Sequence, residues 1–146
     1  MKYDEYKITN DYVISVIGAG GIGNNLLSAL VPALHRGELL DSTDMVKICI
    51  YDSDKVSENN LAHQGFLPKQ VGMPKVHACE TALGPFLGDK LSIRACNWDV
   101  REVGDIEPSD LVVVAVDSSV ARRGVHMTGA LWLDLRCRGD GYIAMD

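Results

Sequence analysis

The stretch YVISVIGAGGIGNN, residues 12–25, decides the fold class, because an apolar run passes directly into glycines and then into a helix-like pattern. Three of its glycines match the G-x-G-x-x-G pattern of dinucleotide-binding folds: Gly18, Gly20 and Gly23. A strand, a glycine turn and a helix N-terminus in this order usually bind a phosphate. The additional Gly21 and the two asparagines after the loop also suit enzymes that bind ATP. The stretch therefore predicts a phosphate site and leaves the nucleotide open.

The composition describes an acidic chain large enough for one compact core. It has 146 residues, of which 47% are hydrophobic and 23% are charged, and its net charge is −6. A negative chain without a Lys/Arg run is a poor match for nucleic acid or an anionic membrane surface. The cysteines show no C-x-x-C spacing, and no apolar stretch reaches the roughly 20 residues of a membrane-spanning helix. We expect a single domain over residues 1–146 that is cytoplasmic and binds neither nucleic acid nor a membrane.

Strand-like and helix-like segments alternate along the chain. The segments that predict strands are 12–17, 46–51, 91–96, 111–116, 131–135 and 142–145. The segments that predict helices begin near Ile22, at Lys75 and near Val120. Within the first helix, Pro32 predicts a kink or an early end near Val31. The alternation predicts an α/β, Rossmann-like, mostly parallel sheet with helices on both faces.

Three of the predicted strands are followed directly by a residue suited to a ligand: Gly18, Asp52 and Asp117. Ligands of open α/β sheets bind beyond the carboxyl ends of the strands, so these residues are expected to lie close together. Taken singly, each of the two aspartates fits a helix cap as well as it fits a ligand contact. Their convergence favours one nucleotide site.

The segment YDSDKVSENNLAHQ, residues 51–64, separates the two nucleotide classes better than the glycines do. A dinucleotide enzyme needs one acidic residue about 20 residues past the glycines to hold the ribose. Asp52 lies 29 residues after Gly23, and that function leaves Asp54, Asn60 and Gln64 without a role. The segment therefore favours a different nucleotide enzyme.

Four blocks in order resemble the ThiF/MoeB/ubiquitin-activating family of ATP-dependent adenylyltransferases. The family pattern is G-x-G-G-x-G, then D-x-D-x-V-x-x-x-N-L-x-R-Q, then G-x-x-K, then a strand ending in T-D-N with an arginine five residues later. This sequence has GAGGIG at 18–23, DSDKVSENNLAHQ at 52–64, GMPK at 72–75, and VDS at 116–118 followed by Arg122. The blocks lie between Gly18 and Arg122, and the resemblance covers roughly residues 12–145. Their joint occurrence identifies the chain as similar to this family.

The resemblance implies a reaction, its cofactors and its partners. Members of the family use ATP and Mg²⁺ to activate a carboxylate, typically the C-terminus of a ubiquitin-like or sulfur-carrier protein or of a peptide. The carboxylate attacks the α-phosphate and gives an acyl adenylate. Because the carboxylate is already ionised, catalysis needs positioning and charge neutralisation rather than a protein nucleophile or base.

The resemblance also implies roles for individual residues. Those implied to contact the nucleotide are Gly18, Gly20, Gly21, Gly23, Asp52, Asp54, Asn60, His63, Gln64, Lys75 and Asp117. Those implied to take part in catalysis are Asp117, Lys75, Asn60 and Arg122. In this assignment Asp52 accepts hydrogen bonds from the ribose hydroxyls, Lys75 neutralises phosphate charge and Asp117 holds Mg²⁺.

The sequence also departs from the family pattern. His63 stands where the family has an arginine, Ser118 stands where it has the T-D-N asparagine, and no arginine precedes Arg36. The chain also ends well before family members usually do, so we expect a minimal or truncated member, and a homodimer that covers the sheet edge. Three functions stay open: an active adenylyltransferase, a catalytically weak or inactive binding subunit, and an NAD(P)-dependent oxidoreductase.

Overall fold

The computed structural model describes residues 10–62, 64–138 and 141–145. The strands in this part of the chain are β1 (Asp11–Ile17), β2 (Met45–Tyr51), β3 (Leu91–Cys96), β4 (Leu111–Val114), β5 (Leu131–Arg138) and β6 (Gly141–Met145). The α-helices are α1 (Gly21–Arg36), α2 (Leu39–Ser42), α3 (Lys75–Leu83) and α4 (Ser119–His126). Short 3₁₀ turns cover Glu58–Ala62, Pro68–Gln70, Gly84–Phe86 and Val103–Asp105.

The strands form one sheet in the order β3-β2-β1-β4-β5-β6. The first five are parallel to their neighbours, and β6 runs antiparallel to β5. Their registers place one residue of each parallel strand in a single row: Cys96, Tyr51, Ile17, Val114 and Asp134. Four of these strands, β1 to β4, therefore end level with one another. The chain reverses its strand order beside β1, where open α/β sheets bind ligands.

Helices cover both faces of the sheet, as the sequence predicts. Leu27 of α1 and Val76 of α3 pack on one face, against alternate residues of the strands such as Ile48. Val125 of α4 packs on the other face, with the side chains of opposite parity such as Tyr51. The doubly covered sheet explains why the central strands are apolar on both sides.

The β3–β4 connection lies on the α4 face and is tied to the sheet by polar contacts. Tyr51 Oη accepts a hydrogen bond from the Glu107 backbone N–H at 2.8 Å, and the Cys49 thiol donates to Glu107 Oε2 at 2.9 Å. Val100 and Ile106 of this connection are buried in the same core. These contacts hold the connection in place beside the carboxyl ends of the strands.

Helix α1 does not end near Val31. It continues through Pro32 to Arg36, and Val31 and Leu34 are buried in the core. An interior proline costs a helix about 3 kcal/mol, but the burial of this apolar face on the sheet outweighs the local preference. Tertiary packing therefore decides the length of this helix.

Several other boundaries differ from the sequence-based prediction. Strand β4 ends at Val114 rather than at Val116, because the chain leaves the ladder after Ala115 N–H donates to Ile17 O at 2.8 Å. Helix α3 ends at Leu83 and continues as a 3₁₀ turn. The sequence predicts a helix from about Val120 to Gly129, whereas helix α4 spans Ser119–His126 and ends three residues earlier. Among the described residues, no helix is long and apolar enough to cross a membrane.

Candidate functional site

A cleft of about 510 Å³ opens at the carboxyl ends of the parallel strands. Ile17 and Asp52 line it from the ends of β1 and β2, and Val100 lines it from the β3–β4 connection. Val116 and Ala121 close it from the side of β4 and α4. The cleft thus combines an apolar wall with a carboxylate at the edge of the sheet where ligands of this architecture bind.

The glycine loop fits tightly against its surroundings. Gly18 has φ +104°, and a Cβ there would lie 2.6 Å from Val116 Cγ1. A Cβ on Gly23 would lie 1.9 Å from the Gly18 carbonyl oxygen. Glycine at these two positions lets the loop turn sharply and lets α1 start directly beside it. Gly21 is the first residue of α1, and Gly20 caps the helix without a side-chain hydrogen bond.

The N-terminus of α1 can therefore bind an anion. The first N–H groups of a helix have no intrahelical partner, and the helix dipole favours negative charge at this end. The first turn of α1 contains no acidic residue. The glycine loop consequently presents backbone donors that suit a phosphate.

Asp52 ties the glycine loop to the end of β2. Its Oδ2 accepts a hydrogen bond from Ala19 N–H at 2.8 Å, and its Oδ1 accepts one from Asp54 N–H at 2.8 Å. A carboxylate has about four acceptor sites, so two remain after these bonds. Asp52 is half-buried in the cleft wall and keeps the capacity to accept from hydroxyl groups of a ligand.

Lys75 is a buried cation at the start of α3. Its side chain is 8% exposed, and its Nζ lies 3.6 Å from Oδ2 of Asp54. The backbone pairing of Lys55 with Pro74 and the bond from Lys75 N–H to Asp54 O at 2.9 Å bring the two residues together. A lysine at a helix N-terminus opposes the helix dipole, so the charge of Lys75 does not stabilise α3 through the dipole. The arrangement places a positive charge beside the segment that follows β2.

The polar residues of the 52–64 segment are placed in different ways. Asn60 Oδ1 accepts from both the backbone N–H and the hydroxyl of Ser57, at 2.8 and 3.0 Å, so its carbonyl stabilises the local turn. Gln64 lies against the glycine loop, since a Cβ on Gly20 would be 3.5 Å from Gln64 Nε2. Gln64 Oε1 is buried without a hydrogen-bond partner among the described residues. His63 lies outside the described residues.

The residues after β4 show that Ser118, rather than Asp117, caps α4. Ser118 Oγ accepts from Ala121 N–H at 3.2 Å. The Asp117 side chain is fully exposed, and its Oδ1 accepts from Arg122 Nη2 at 3.1 Å. The helix-cap alternative for Asp117 is therefore excluded. Its exposed carboxylate belongs to the residue between Val116 and Ser118, which both line the cleft.

Arg122 is held between two carboxylates. Its side chain is 13% exposed, and its Nε lies 3.0 Å from Oδ2 of Asp134, on β5. This contact is an ion pair rather than a well-aligned hydrogen bond. Sequence reasoning missed Asp134, although an aspartate inside the apolar segment LWLDL was the available signal.

A family model described as the ThiF family matches residues 2–128. The chain belongs to the ThiF family. The resemblance inferred from the four sequence blocks is thereby confirmed.

Curated relatives of this ThiF-family chain include ubiquitin-like modifier-activating enzyme 5 of Mus musculus and of Branchiostoma floridae. The mouse protein is 28% identical over 149 residues, which cover 89% of this chain and 34% of that protein. The Branchiostoma protein is 26% identical over 150 residues, which cover 90% of this chain and 34% of that protein. The chain thus spans about a third of the length of these relatives.

Solved structures of similar fold include E. coli MccB with AMPCPP and MccA, which matches with a TM-score of 0.69 and 19% identity over 98% of this chain and 41% of that chain. TcdA (CsdL) matches with a TM-score of 0.65 and 17% identity over 88% of this chain and 51% of that chain. At this level of identity the likeness shows a shared fold. It agrees with the Rossmann-like sheet of this ThiF-family member.

A metal ion can be held by a cage of protein side chains, or by one or two carboxylates together with waters and substrate phosphates. The side chains of this site fit Mg²⁺ in the second of these modes. Within residues 10–62, 64–138 and 141–145, no group of three or more His, Cys, Asp or Glu side chains is arranged to hold a metal ion. Mg²⁺ commonly keeps several waters and binds through one or two carboxylates together with substrate phosphates. The exposed carboxylate of Asp117 fits this second mode and does not form a cage of protein ligands.

The buried thiols of this ThiF-family chain are poor nucleophiles at neutral pH. Burial raises the pKa of Cys79 to about 11, although a hydrogen bond from Asn24 opposes the shift. Burial and the hydrogen bond to Glu107 raise the pKa of Cys49 to about 12. Since the thiolate is the reactive form, both groups stay protonated and unreactive near pH 7.

Sequence reasoning also missed the side of the cleft that the β3–β4 connection forms. Asp99, Val100 and Arg101 line the cleft, and Asp99 Oδ1 accepts from the Ser53 hydroxyl at 2.6 Å. No motif marks these residues, because their role depends on how the connection folds over α4 and β2. Ser53, inside the D-x-D block, is the residue that joins them to the predicted site.

Proposed function

We propose that this chain binds ATP and Mg²⁺ and activates a carboxylate as an acyl adenylate. The carboxylate belongs to the C-terminus of a small carrier protein or a peptide. The observation that carries the proposal is the placement of Asp52. Its carboxylate accepts hydrogen bonds from Ala19 N–H in the glycine loop and from Asp54 N–H. Asp54 in turn forms an ion pair with Lys75. This placement brings a hydroxyl acceptor, an anion-binding helix terminus and a buried cation to one edge of the sheet.

The nucleotide contacts follow from the chemistry of the lining residues. The apolar wall formed by Ile17, Val100 and Val116 suits a base, and the free acceptor sites of Asp52 suit ribose hydroxyls. The N-terminus of α1 and the ammonium of Lys75 suit the phosphates. The buried Gln64 Oε1, orphaned beside the glycine loop, gains a partner if a donor group of the ligand enters there.

The reaction needs no proton transfer to the protein. A carboxylate oxygen forms a bond to the α-phosphorus, the bond from that phosphorus to the bridging oxygen breaks, and pyrophosphate leaves with the electron pair. Lys75 neutralises part of the phosphate charge, and Asp117 would hold Mg²⁺, which supplies further charge neutralisation. Asn60, Gln64 and Arg122 orient the segments that carry these groups.

The comparisons support the substrate class of this proposal. Relatives are named as ubiquitin-like modifier-activating enzymes, and MccB has been solved with MccA and with AMPCPP or ATP. We extend to this chain a ubiquitin-like or peptide partner, and a homodimer that covers an edge strand of the sheet. The free thiols Cys49, Cys79 and Cys96 support a reducing, cytoplasmic location.

A catalytically weak binding subunit is the second candidate. The observation that favours it is the pairing of Arg122 with two aspartates, since the charge of this cation is already shared by Asp117 and Asp134. His63 in place of the family's arginine points the same way, because histidine cannot present a guanidinium to a phosphate. In this alternative ATP binds but is not turned over.

Calorimetry and pyrophosphate exchange separate the candidates. ATP, with and without Mg²⁺, and NADH are titrated into the chain, and ATP–pyrophosphate exchange is measured with carrier proteins ending in Gly-Gly. Binding of ATP with exchange supports the adenylyltransferase, and binding without exchange supports the second candidate. Binding of NADH without binding of ATP contradicts both.

A variant pair tests the buried cation. Lys75→Met keeps an apolar side chain of similar length and removes the charge, and Lys69→Met makes the same change at an exposed lysine. Loss of a charge-assisted contact of about 1.5–3 kcal/mol predicts that Lys75→Met weakens ATP binding by roughly 10- to 150-fold. Equal ATP affinities of the two variants would show that Lys75 does not contact the nucleotide.

A further inference from the structure

Asp134 is a buried charge in the middle of the sheet. It lies on β5, paired in register with Val114 of β4, and its side chain is 2% exposed. Burying a carboxylate is costly unless a charged or hydrogen-bonding partner compensates it. Arg122 of α4 supplies such a partner, with Nε at 3.0 Å from Asp134 Oδ2. Asp134 therefore fixes the Arg122 side chain to strand β5 of the sheet.

The same guanidinium reaches outward to the cleft edge. Arg122 Nη2 donates to Asp117 Oδ1 at 3.1 Å, so one arginine bridges a buried carboxylate and an exposed one. The guanidinium is rigid and planar, and a carboxylate that fixes Nε also restricts where Nη2 points. Within the described part of the chain, Arg122 is the residue that holds the Asp117 side chain.

The charges of the three residues also matter. By their formal charges, the two carboxylates and the guanidinium of these three side chains sum to −1. If Asp134 were neutral, the whole charge of Arg122 would act on Asp117 and compete with a bound cation. With Asp134 present, Asp117 is held in place and still attracts a cation.

We propose that Asp134 is a positioning residue that acts through Arg122 on Asp117 and sets the affinity for the Mg²⁺ that accompanies ATP. This inference rests on the proposed function, in which Asp117 holds the metal ion. It adds a residue that the four sequence blocks do not contain, and it gives Arg122, which the resemblance implies takes part in catalysis, the role of a bridge between Asp134 and Asp117. Outer partners of metal ligands typically change metal affinity by about 10- to 100-fold.

The test uses the isosteric variant Asp134→Asn in the full chain. Its control is Asp110→Asn, because Asp110 Oδ2 also holds a backbone group, Val13 N–H at 2.7 Å, in a contact that does not involve Asp117 or Arg122. ATP binding is titrated at increasing Mg²⁺, and adenosine binding is measured without Mg²⁺. We expect Asp134→Asn to raise the Mg²⁺ concentration for half-maximal ATP binding by about tenfold or more, with adenosine affinity unchanged.

A second pair of variants examines the route through Asp117. The Mg²⁺ dependence of Asp117→Asn is compared with that of the double variant Asp117→Asn/Asp134→Asn. Since Asp134 acts through Asp117, the second substitution is expected to add no further change. An additional, independent loss in the double variant contradicts the proposal.

Side-chain NMR provides a readout that needs no ligand. Arg122 Nε is buried and ion-paired with Asp134, so its N–H signal is expected to exchange slowly with water in the wild-type and Asp117→Asn chains. In Asp134→Asn, where the ion pair is lost, the signal is expected to exchange rapidly. Rapid exchange in the wild-type chain overturns the anchoring of Arg122 by Asp134.

The binding results separate this inference from the function on which it rests. A wild-type chain that binds no ATP overturns both the proposed function and the role in Mg²⁺ affinity. ATP binding that responds to Mg²⁺ equally in wild-type and Asp134→Asn chains overturns the inference alone. A parallel loss of adenosine affinity and thermal stability in Asp134→Asn shows a merely structural role, and also overturns it.

Discussion

Gly23→Ala tests the geometry of the glycine loop directly. A Cβ on Gly23 would lie 1.9 Å from the Gly18 carbonyl oxygen, whereas ordinary van der Waals contact begins at 3.4 Å. The obstacle is backbone rather than the end of a flexible side chain, so α1 and the loop must separate by more than an ångström. This change would also move Ala19 away from Asp52, to which its N–H donates.

The expected magnitude combines two opposing contributions. Overpacking costs about 1–3 kcal/mol in general, and a clash with rigid backbone belongs at or above the upper end of that range. Alanine in place of glycine within α1 stabilises the fold by about 1 kcal/mol, because alanine has the higher helix propensity. We therefore expect a net loss of about 2 kcal/mol or more, which lowers Tm by about 4–8 °C in a domain of this size.

Gly20→Ala is the matched control in the same loop. Gly20 has φ −79°, and its Cβ would lie 3.5 Å from Gln64 Nε2, which is ordinary contact. Because alanine is a poorer N-cap than glycine, a loss of about 1 kcal/mol or less is expected. Urea denaturation of both variants measures the difference in the free energy of unfolding. Equal stability of Gly23→Ala and Gly20→Ala would refute the close approach of Gly18 and Gly23.

Two further predictions concern a hydrogen-bonded carboxylate and a buried thiol. In Asp52→Asn, one of the two N–H groups, of Ala19 or of Asp54, faces the amide NH₂ instead of an acceptor oxygen. Urea denaturation should therefore show that the free energy of unfolding falls by about 1.5–3 kcal/mol, while the exposed Asp89→Asn leaves it unchanged. Equal stabilities of the two variants would contradict these bonds. The raised pKa of Cys79, about 11 in the fold against 9.0 for a free thiol, stabilises the protonated fold below pH 9, and this stabilisation is lost as pH rises to 11. The difference in unfolding free energy between wild type and Cys79→Ala should therefore shrink by about 1–3 kcal/mol over that range, and a constant difference would argue against the raised pKa.

The parts of the site that were predictable from the sequence are those next to strand ends. The glycine loop follows β1, and Asp52 follows β2, so recognising each strand is enough to place them at the same edge of the sheet. Lys75 was predicted from the G-x-x-K block, and the structure adds that it is buried beside Asp54. The sequence places the N-cap of α4 among the residues after β4. The structure shows that this cap is Ser118, whose Oγ accepts from Ala121 N–H.

The misses have a common cause in contacts between distant segments. Pro32 predicts a kink or an early end of α1 from local preference, and the early end is wrong because burial of Val31 and Leu34 against the sheet extends the helix to Arg36. In the sequence, Asp134 is one polar residue within an apolar strand. Its role as the partner of Arg122 depends on the packing of α4 against β5. Neither packing is visible in the periodicity of the segment concerned.

The sequence by itself determined the order of strands and helices, the position of the glycine loop and the family to which the four blocks point. The first two features depend on apolar periodicity and on glycine and proline, which act within a few residues of chain. The third depends on the resemblance of four short motifs to a known family pattern. Only the tertiary structure decided that Arg122 joins Asp117 to Asp134 and that the β3–β4 connection forms a wall of the cleft. These contacts depend on the spatial order β1-β4-β5, which brings segments together that the sequence keeps apart.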